Sequence, residues 1–272
     1  MLAQSLRPRP RRFAAVLSTL CILVGTAAAQ EEVTLDVPYV QTPQEVVDKM
    51  LEMGMVTEKD YVIDLGSGDG RTPITAATRY KARGFGVDID PKRVAEANEN
   101  AKKAGVTDRV SFRQQDLFKT SIGEASVLTM YLLQRVNLEL RPRILKELKP
   151  GSRVVSHAFD MGDWLPDQHE MMGYRHLYMW IVPANVEGRW RIREGRQTYD
   201  VTLTQKYQKV SGTVLVDSKQ RPLENVVLRG EEISFVINTR KGRVQFVGRV
   251  SGNAIKSQSG IRRAGEWRAT RS

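Results

Sequence analysis

Residues 62–71, Val-Ile-Asp-Leu-Gly-Ser-Gly-Asp-Gly-Arg, decide the fold class of this chain. The apolar run Tyr61–Leu65 predicts a buried strand, and a glycine-rich turn and then a helix follow it. Gly66 and Gly68 permit positive φ angles, and their lack of side chains lets a ligand approach the backbone closely. A strand, a glycine turn and a helix in this order predict the first unit of a parallel α/β sheet.

The glycine turn differs from the one that binds dinucleotides. In that form the third glycine comes three residues after the second, and the pyrophosphate lies on the helix N-terminus. Here Gly68 and Gly70 are two residues apart, and Asp64 and Asp69 flank the turn. Carboxylates repel a phosphate but suit a ligand with a positive centre, so the turn predicts a ligand that carries an ammonium or a sulfonium group.

Two further aspartates follow predicted strands. Asp88 ends the second strand, where a carboxylate can accept hydrogen bonds from both hydroxyls of a ribose. Asp116 follows the third strand, where a carboxylate can accept from an adenine amino group. A single aspartate in such a place is often only a helix cap, as we expect for Asp90 before Pro91. Three at strand ends, with Asp64, predict one ligand site, because ligands of open α/β sheets bind at the carboxyl edge.

Helical and strand-like segments alternate as far as Pro183, which predicts a parallel sheet with helices on both faces. A capping box with Thr42 at the N-cap predicts the first helix, and another helix is predicted over Leu138–Leu148. The predicted strands are Tyr61–Leu65, Gly84–Val87, Val110–Phe112, Val127–Tyr131, Arg153–Ala158 and His176–Val182.

Beyond Pro183 the pattern changes to short alternating segments separated by turn residues, which predict a small antiparallel barrel or sandwich. We expect Trp190 and Trp267, near its two ends, to be core residues that pack together where the sheet closes. The predicted strands are Arg189–Arg193, Thr198–Thr204, Ser211–Val216, Val226–Arg229, Ile233–Ile237, Val244–Val250, Ala254–Ser257 and Glu266–Thr270.

The first residues have the three parts of a secretory signal: a basic run, the apolar stretch Phe13–Val24, and Ala27-Ala28-Ala29 as a cleavage site. Residues 1–29 are therefore predicted to be a signal peptide, residues 30–183 the α/β domain and residues 184–272 the β domain. Export, to the periplasm, is the expected location. The alternative is an inner-membrane anchor that is not cleaved. The one cysteine, Cys21, lies inside the apolar stretch.

Positive charge is concentrated in the β domain. Residues 184–272 contain 18 Lys+Arg against 8 Asp+Glu, a net charge of +10, whereas residues 30–183 contain 20 against 23, a net charge of −3. Such a basic segment favours an anionic partner or a membrane surface, although an arginine-rich soluble domain without a partner explains it equally well. Because no aromatic platform for single strands is evident, nucleic acid is not the expected partner.

The run Asp64-Leu-Gly-Ser-Gly-Asp-Gly, with Asp88 and Asp116, resembles class I S-adenosylmethionine-dependent methyltransferases. With Pro38-Tyr-Val-Gln-Thr-Pro43 ahead of the loop, it is similar to the lysine methyltransferase group of the mitochondrial ATP-synthase c-subunit enzyme, and the loop is also shared with Dot1-type enzymes. The resemblance covers about residues 36–182 and implies S-adenosylmethionine as cofactor. The cofactor-binding residues that it implies are Tyr39, Thr42, Asp64, Gly66, Ser67, Gly68, Asp88 and Asp116.

The chain also departs from related families. Enzymes that methylate amide or base nitrogens carry an Asn/Asp-Pro-Pro-Tyr box after the fourth strand, whereas this chain reads Thr129-Met-Tyr-Leu-Leu133, which argues against those targets. Tyr131 either lines the acceptor channel, as the one candidate catalytic residue, or belongs to the core. His157, His169 and His176 show no metal-ligand spacing and are expected to be ordinary polar loop residues, so no metal is predicted.

The predicted function is methyl transfer to a protein lysine or to a small molecule. The alternative is a catalytically silent exported protein that uses the methyltransferase fold and the basic β domain to hold an anionic partner. A nucleic-acid methyltransferase is the third hypothesis, supported only by the basic domain. Export conflicts with a cofactor that is made in the cytoplasm. Either the cofactor reaches the protein outside, or the leader is an anchor and the domain stays inside, or catalysis has been abandoned.

Overall fold

A computed structural model describes residues 39–239, 242–258 and 266–272. The predicted signal peptide, residues 1–29, lies outside these residues. Within them, no helix is both long and apolar enough to cross a membrane.

The first sheet has seven strands in the order β3-β2-β1-β4-β5-β7-β6, and the first five strands of that order are parallel. β7 is antiparallel to β5 and forms a hairpin with β6. The strands are β1 (Tyr61–Leu65), β2 (Arg83–Asp88), β3 (Val110–Gln114), β4 (Val127–Met130), β5 (Arg153–His157), β6 (Gln168–Met172) and β7 (Arg175–Ile181).

Helices cover both faces of this sheet, because each of them buries one apolar side. α1 packs on one face through Val46, Val47 and Leu51, and α4 packs on the opposite face through Leu140 and Ile144. The predicted fold class is therefore confirmed. The helices are α1 (Gln44–Met53), α2 (Arg71–Tyr80), α3 (Pro91–Lys103) and α4 (Gln134–Glu147).

Two local predictions were wrong, and one strand was missed. Pro43, not Thr42, is the N-cap of α1, and no side chain caps this helix, because the Thr42 hydroxyl faces His157 instead. α4 begins at Gln134, earlier than the predicted Leu138, because its first turn already buries Val136. β6 was not predicted, since Gln-His-Glu-Met-Met has no alternating apolar pattern and forms a strand through its pairing with β7.

The second sheet has nine antiparallel strands in the order β11-β10-β9-β8-β16-β15-β14-β13-β12 and forms a nearly closed barrel. Eight of the nine were predicted, and β11 was missed. The strands are β8 (Gly188–Glu194), β9 (Gln197–Lys206), β10 (Lys209–Val216), β11 (Lys219–Pro222), β12 (Glu224–Arg229), β13 (Glu232–Thr239), β14 (Gly242–Ser251), β15 (Ala254–Ser257) and β16 (Trp267–Arg271).

The barrel has its own apolar core. Trp190 and Trp267 are 1% and 4% exposed and belong to this core, as expected, and their strands β8 and β16 pair with each other. β8 and β16 are the first and last strands of the barrel in the chain, and they lie next to each other in the middle of the strand order. The strand order places this pairing inside the sheet, whose edge strands are β11 and β12, and not at the point where the edges would meet.

Aromatic and charged contacts connect the barrel to the first sheet. The ring of Tyr207 stacks on Trp164 with centroids 5.9 Å apart, and Trp164 packs on Trp180 of β7 at the same distance. Lys206 Nζ lies 2.9 Å from Asp163 Oδ2. The turn between β9 and β10 thus packs on the segment that follows β5.

Candidate functional site

One cavity of about 290 Å³ lies at the carboxyl ends of the parallel strands. This is the edge at which open α/β sheets bind their ligands. All of the residues predicted for the site line the cavity, and their individual roles stay predictions. They are Tyr39, Thr42, Asp64, Gly66, Ser67, Gly68, Asp88, Asp116 and Tyr131.

Backbone hydrogen bonds fix the glycine loop between β1 and α2. The N–H groups of Gly66 and Ser67 both donate to the carbonyl oxygen of Val87 at 2.9 Å. The N–H of Gly68 donates to Asp88 Oδ2, also at 2.9 Å. The loop is therefore tied to the end of β2.

Gly68 lies directly below the ring of Tyr39. Its φ of +52° is in the left-handed region, and a Cβ atom there would lie 2.3 Å from Tyr39 Cε2. The Arg93 guanidinium lies 4.5 Å from the centroid of the Tyr39 ring. Burial, and then the charge of Asp69, raise the pKa of Tyr39, so its hydroxyl stays protonated at neutral pH. The ring thus forms a neutral wall over the loop.

An ion pair fastens the segment before α1 to the loop. Arg71 Nη2 lies 2.6 Å from Asp69 Oδ2, and Arg71 Nη1 donates to the carbonyl oxygen of Thr42 at 2.5 Å. Gln41 Nε2 donates to Asp69 Oδ2 at 3.0 Å. Although burial alone raises the pKa of Asp69, hydrogen bonds from Arg71 and Gln41 hold it below its ordinary value. Asp69 and Arg71 were not among the predicted site residues. The contact of Arg71 with the Thr42 carbonyl forms only in the folded chain, so the local sequence gives no sign of it.

Asp88 and Asp116 each shape the backbone and also face the cavity. Asp88 Oδ1 accepts from the N–H of Asp90 at 3.0 Å, and Asp116 Oδ1 accepts from the N–H of Phe118 at 2.8 Å. Asp116 is thereby the N-cap of a short 3-10 turn. Each oxygen has further lone pairs, so capping and ligand binding are compatible for both residues.

Asp64 is the most deeply buried acid of the site, with 6% of its surface exposed. Its Oδ1 accepts a hydrogen bond of 2.6 Å from Thr129 Oγ1. Burial, with a smaller contribution from the negative charges of Asp88 and Asp69 and against the effect of that hydrogen bond, raises the pKa of Asp64 to about 7. A cationic ligand would favour the ionised form of this carboxyl.

Several features of the cavity fit a sulfonium cofactor with a sugar and an adenine. Five aspartates and two arginines line it, which leaves an excess of acid. The buried Ser67 Oγ has no hydrogen-bond partner among the described residues. Buried polar atoms are normally satisfied, so the Ser67 hydroxyl points to a polar group of a ligand.

Tyr131 follows β4, and its ring packs on the imidazole of His157 at 4.0 Å between centroids. His157 Nδ1 lies 3.3 Å from Thr42 Oγ1. Burial, followed by the charge of Arg175, lowers the pKa of His157 to about 4, so the ring is neutral at neutral pH. His157 thus contacts both Thr42, in the segment before α1, and Tyr131, the residue predicted for the acceptor channel.

The expectation that the histidines are polar loop residues was wrong. His157 is 3% exposed and ends β5. His169 and His176 lie in β6 and β7, with His169 Nε2 2.9 Å from His176 Nδ1. Among the described residues, no group of three or more His, Cys, Asp or Glu side chains is arranged to hold a metal ion.

Comparison with known proteins gives one family and several relatives. Residues 64–168 match the family described as the ANTKMT methyltransferase domain. A protein-lysine N-methyltransferase of Saccharolobus islandicus is 49% identical over 133 residues, which cover 48% of this chain and 83% of that protein. An ATP synthase c-subunit lysine N-methyltransferase of Xenopus laevis is 27% identical over 194 residues, which cover 71% of this chain and 75% of that protein.

A solved structure is also similar. A crystal structure described as an RNA methyltransferase from Salinibacter ruber, in complex with S-adenosyl-L-homocysteine, shares 52% identity and superposes with a TM-score of 0.53. The match covers 54% of this chain and 96% of that chain. S-adenosyl-L-homocysteine is what remains of S-adenosylmethionine after the methyl group has left.

Proposed function

This chain belongs to the S-adenosylmethionine-dependent methyltransferase family that includes the archaeal protein-lysine N-methyltransferase, and from this premise we propose that it methylates lysine side chains of a protein. The resemblance predicted from the loop motif is confirmed, as are the enzyme class and the cofactor. The alternative of a catalytically silent binding protein finds no support in these similarities.

One observation carries the proposal of a lysine acceptor. The chain shares 49% identity with a protein-lysine N-methyltransferase across 83% of that protein. The acidic lining of the cavity agrees with it, because a lysine side chain and the sulfonium are both cationic before reaction.

When bound, S-adenosylmethionine supplies a methyl group on a sulfonium sulfur, which a nucleophile attacks in line. The chain orients the reactants and excludes water. Asp64, Asp88 and Asp116 would hold the charged and polar parts of the cofactor, and Gly68 lets the ring of Tyr39 lie against the loop. Tyr39 would close over it, held in place by Arg93.

Tyr131 is the residue best placed to meet the acceptor. It lines the cavity beyond β4. A tyrosine hydroxyl accepts a hydrogen bond from an amine N–H, so Tyr131 would orient the lysine nitrogen. The amine must be neutral to attack, so a lysine ammonium must first lose its proton.

We also propose that the enzyme works outside the cytoplasm, in the periplasm, or on the inner membrane through an uncleaved leader. The basic run, apolar stretch and alanine site of residues 1–29 support this location. The basic composition of residues 184–272 supports an anionic partner for the β domain.

RNA is the second candidate acceptor, because the solved structure that shares 52% identity is described as an RNA methyltransferase. The two candidates are separated by incubating the purified full chain with labelled S-adenosylmethionine and the protein and RNA fractions of one cell extract. Label in protein, found as methyl-lysine by mass spectrometry, would support the proposal.

Label confined to RNA would contradict it and assign the enzyme to nucleic acid. The Asp88→Ala variant is the control, because it loses the side chain that accepts from Gly68 N–H, and label should fall in both fractions. Label that persists with Asp88→Ala would come from another enzyme in the preparation.

A further inference from the structure

Four basic side chains form a row across four adjacent strands of the barrel. Arg193 of β8 is paired in register with Arg268 of β16, Arg268 with Lys256 of β15, and Lys256 with Arg249 of β14. All four are exposed on the outer face of the sheet. Neighbouring strands are about 4.8 Å apart, so the row is about 14 Å long.

The row continues along one strand. Arg189 and Arg191 alternate with buried residues of β8 and so lie on the same outer face as Arg193. Residues Arg189 and Arg193 are about 13 Å apart along the strand. The basic residues therefore spread in two dimensions, and we call this surface the cationic face: Arg189, Arg191, Arg193, Arg249, Lys256 and Arg268.

Most of this charge is not neutralised within the described residues. Arg191 pairs with Asp200 at 2.9 Å, and Arg249 pairs with Glu231 at 2.6 Å. Among the described residues, no carboxylate forms an ion pair with Arg189, Arg193, Lys256 or Arg268. Like charges directly opposite each other on a sheet are destabilising. The row therefore lowers the stability of the fold, and a bound anion would offset this loss.

The chemistry of the face restricts its partner. On the described parts of β8, β14, β15 and β16, no large apolar or aromatic side chain is exposed, and the exposed Leu215 and Val227 belong to other strands. Binding of single-stranded nucleic acid combines a basic groove with aromatic side chains for stacking. The outer surface of a barrel is convex, and the described parts of these four strands expose no such rings. Basic clusters bind phospholipid headgroups through charge alone.

We propose that the cationic face docks the protein on an anionic phospholipid surface. The two-dimensional spread of charge matches a plane of headgroups better than a single strand of phosphates. Phe13–Val24, with arginines before it, is an independent sign in the sequence that the chain meets a membrane. The proposal does not depend on the methyl acceptor, because docking is measured without methyl transfer.

The test compares the full chain with the triple variant Arg193→Gln/Lys256→Gln/Arg268→Gln. The probe is vesicles of phosphatidylglycerol and phosphatidylcholine, with vesicles of phosphatidylcholine alone as reference, in a sedimentation assay at several salt concentrations. A cation near such a surface is worth about fivefold in affinity, so three should give roughly a hundredfold loss on anionic vesicles. The apolar stretch is present in both proteins and does not distinguish lipid charge.

A matched control removes the same charge elsewhere. Lys59→Gln/Lys102→Gln/Lys149→Gln alters exposed lysines of the first domain and should keep anionic vesicle binding within about threefold, because distant charges are screened. An equal loss in both variants would mean that only net charge matters and would overturn the proposal. Equal binding of the unaltered chain to both kinds of vesicle would also overturn it.

Two further measurements make the test decisive. The triple variant should unfold at the same or a higher temperature, because repulsion within the row is relieved. A lower unfolding temperature would mean that the row supports the fold, against the proposal. If the triple variant lost binding to double-stranded RNA but kept vesicle binding, the cationic face would belong to nucleic acid.

Discussion

The affinity for S-adenosylmethionine is expected to depend on pH through Asp64. This carboxyl is buried behind the loop and has a pKa raised to about 7, chiefly by burial. A cationic ligand favours the ionised form, so binding below pH 7 must release a proton from Asp64. Replacing Asp64 with asparagine keeps an oxygen for the hydrogen bond from Thr129 and removes the titration.

The size of the effect follows from this pKa. Asp64 is ionised in roughly a tenth of molecules at pH 6 and in roughly nine-tenths at pH 8, so the dissociation constant should fall about tenfold between them. The stability of the free protein depends on pH in the opposite direction. A raised pKa favours the protonated fold, so this stability is fully present below the ordinary value of 3.8 and is lost as pH rises through about 7. The rise from 3.8 to about 7 corresponds to about 4 kcal/mol.

Calorimetric titration in buffers of different ionisation enthalpy measures both the affinity and the protons released. Release should be about 0.9 proton per cofactor at pH 6 and about 0.1 at pH 8. Asp64→Asn should bind more weakly at pH 8 and show no pH dependence from this group. An affinity that is flat between pH 6 and pH 8 in the unaltered protein, or an equal slope in Asp64→Asn, would refute the reasoning.

Three other predictions concern the loop, the link behind the acceptor channel and the barrel contact. Gly68→Ala should weaken cofactor binding roughly tenfold, because the new Cβ would meet Tyr39 and the φ angle is positive. Adding Tyr39→Ala should restore part of the lost affinity, and additive losses in calorimetry would contradict the clash. His157→Phe should lower the free energy of unfolding in urea by about 1 kcal/mol through loss of the bond to Thr42, and no change would mean that the bond is not formed. Trp164→Ala should cost about 3–5 kcal/mol by thermal unfolding, and a loss below about 1 kcal/mol would show that the barrel does not depend on this contact.

The cofactor side of the cavity was predictable because its determinants are local. Gly66 and Gly68 adopt positive φ angles in the structure, as the spacing of the turn requires. Asp88 was placed by its position at the end of the next strand, and it accepts a hydrogen bond from the loop itself. A motif that sets its own backbone can be recognised without knowledge of distant contacts.

The opposite side of the cavity depends on tertiary contacts. The hydroxyl of Thr42 can cap the helix that follows it or bond to a distant partner, and the structure pairs it with His157, far away in sequence. The local pattern favoured the cap, and the buried imidazole prevailed because its Nδ1 would otherwise lack a partner. β6 was missed for a similar reason, because its sequence has no strand pattern of its own and it forms a strand by pairing with β7.

The cationic face shows why a net charge does not predict a surface. Arg193 and Arg268 are far apart in sequence, and counting charges places both in a basic segment without bringing them together. They become neighbours only because β8, the first strand of the barrel, pairs with β16, the last. A shift of this pairing by one residue would turn Arg268 into the core, so the apolar alternation that buries Trp267 and Ala269 also fixes the row of charge outside. The barrel core and the proposed docking surface are therefore set by one register, and a variant that alters the register should lose both together.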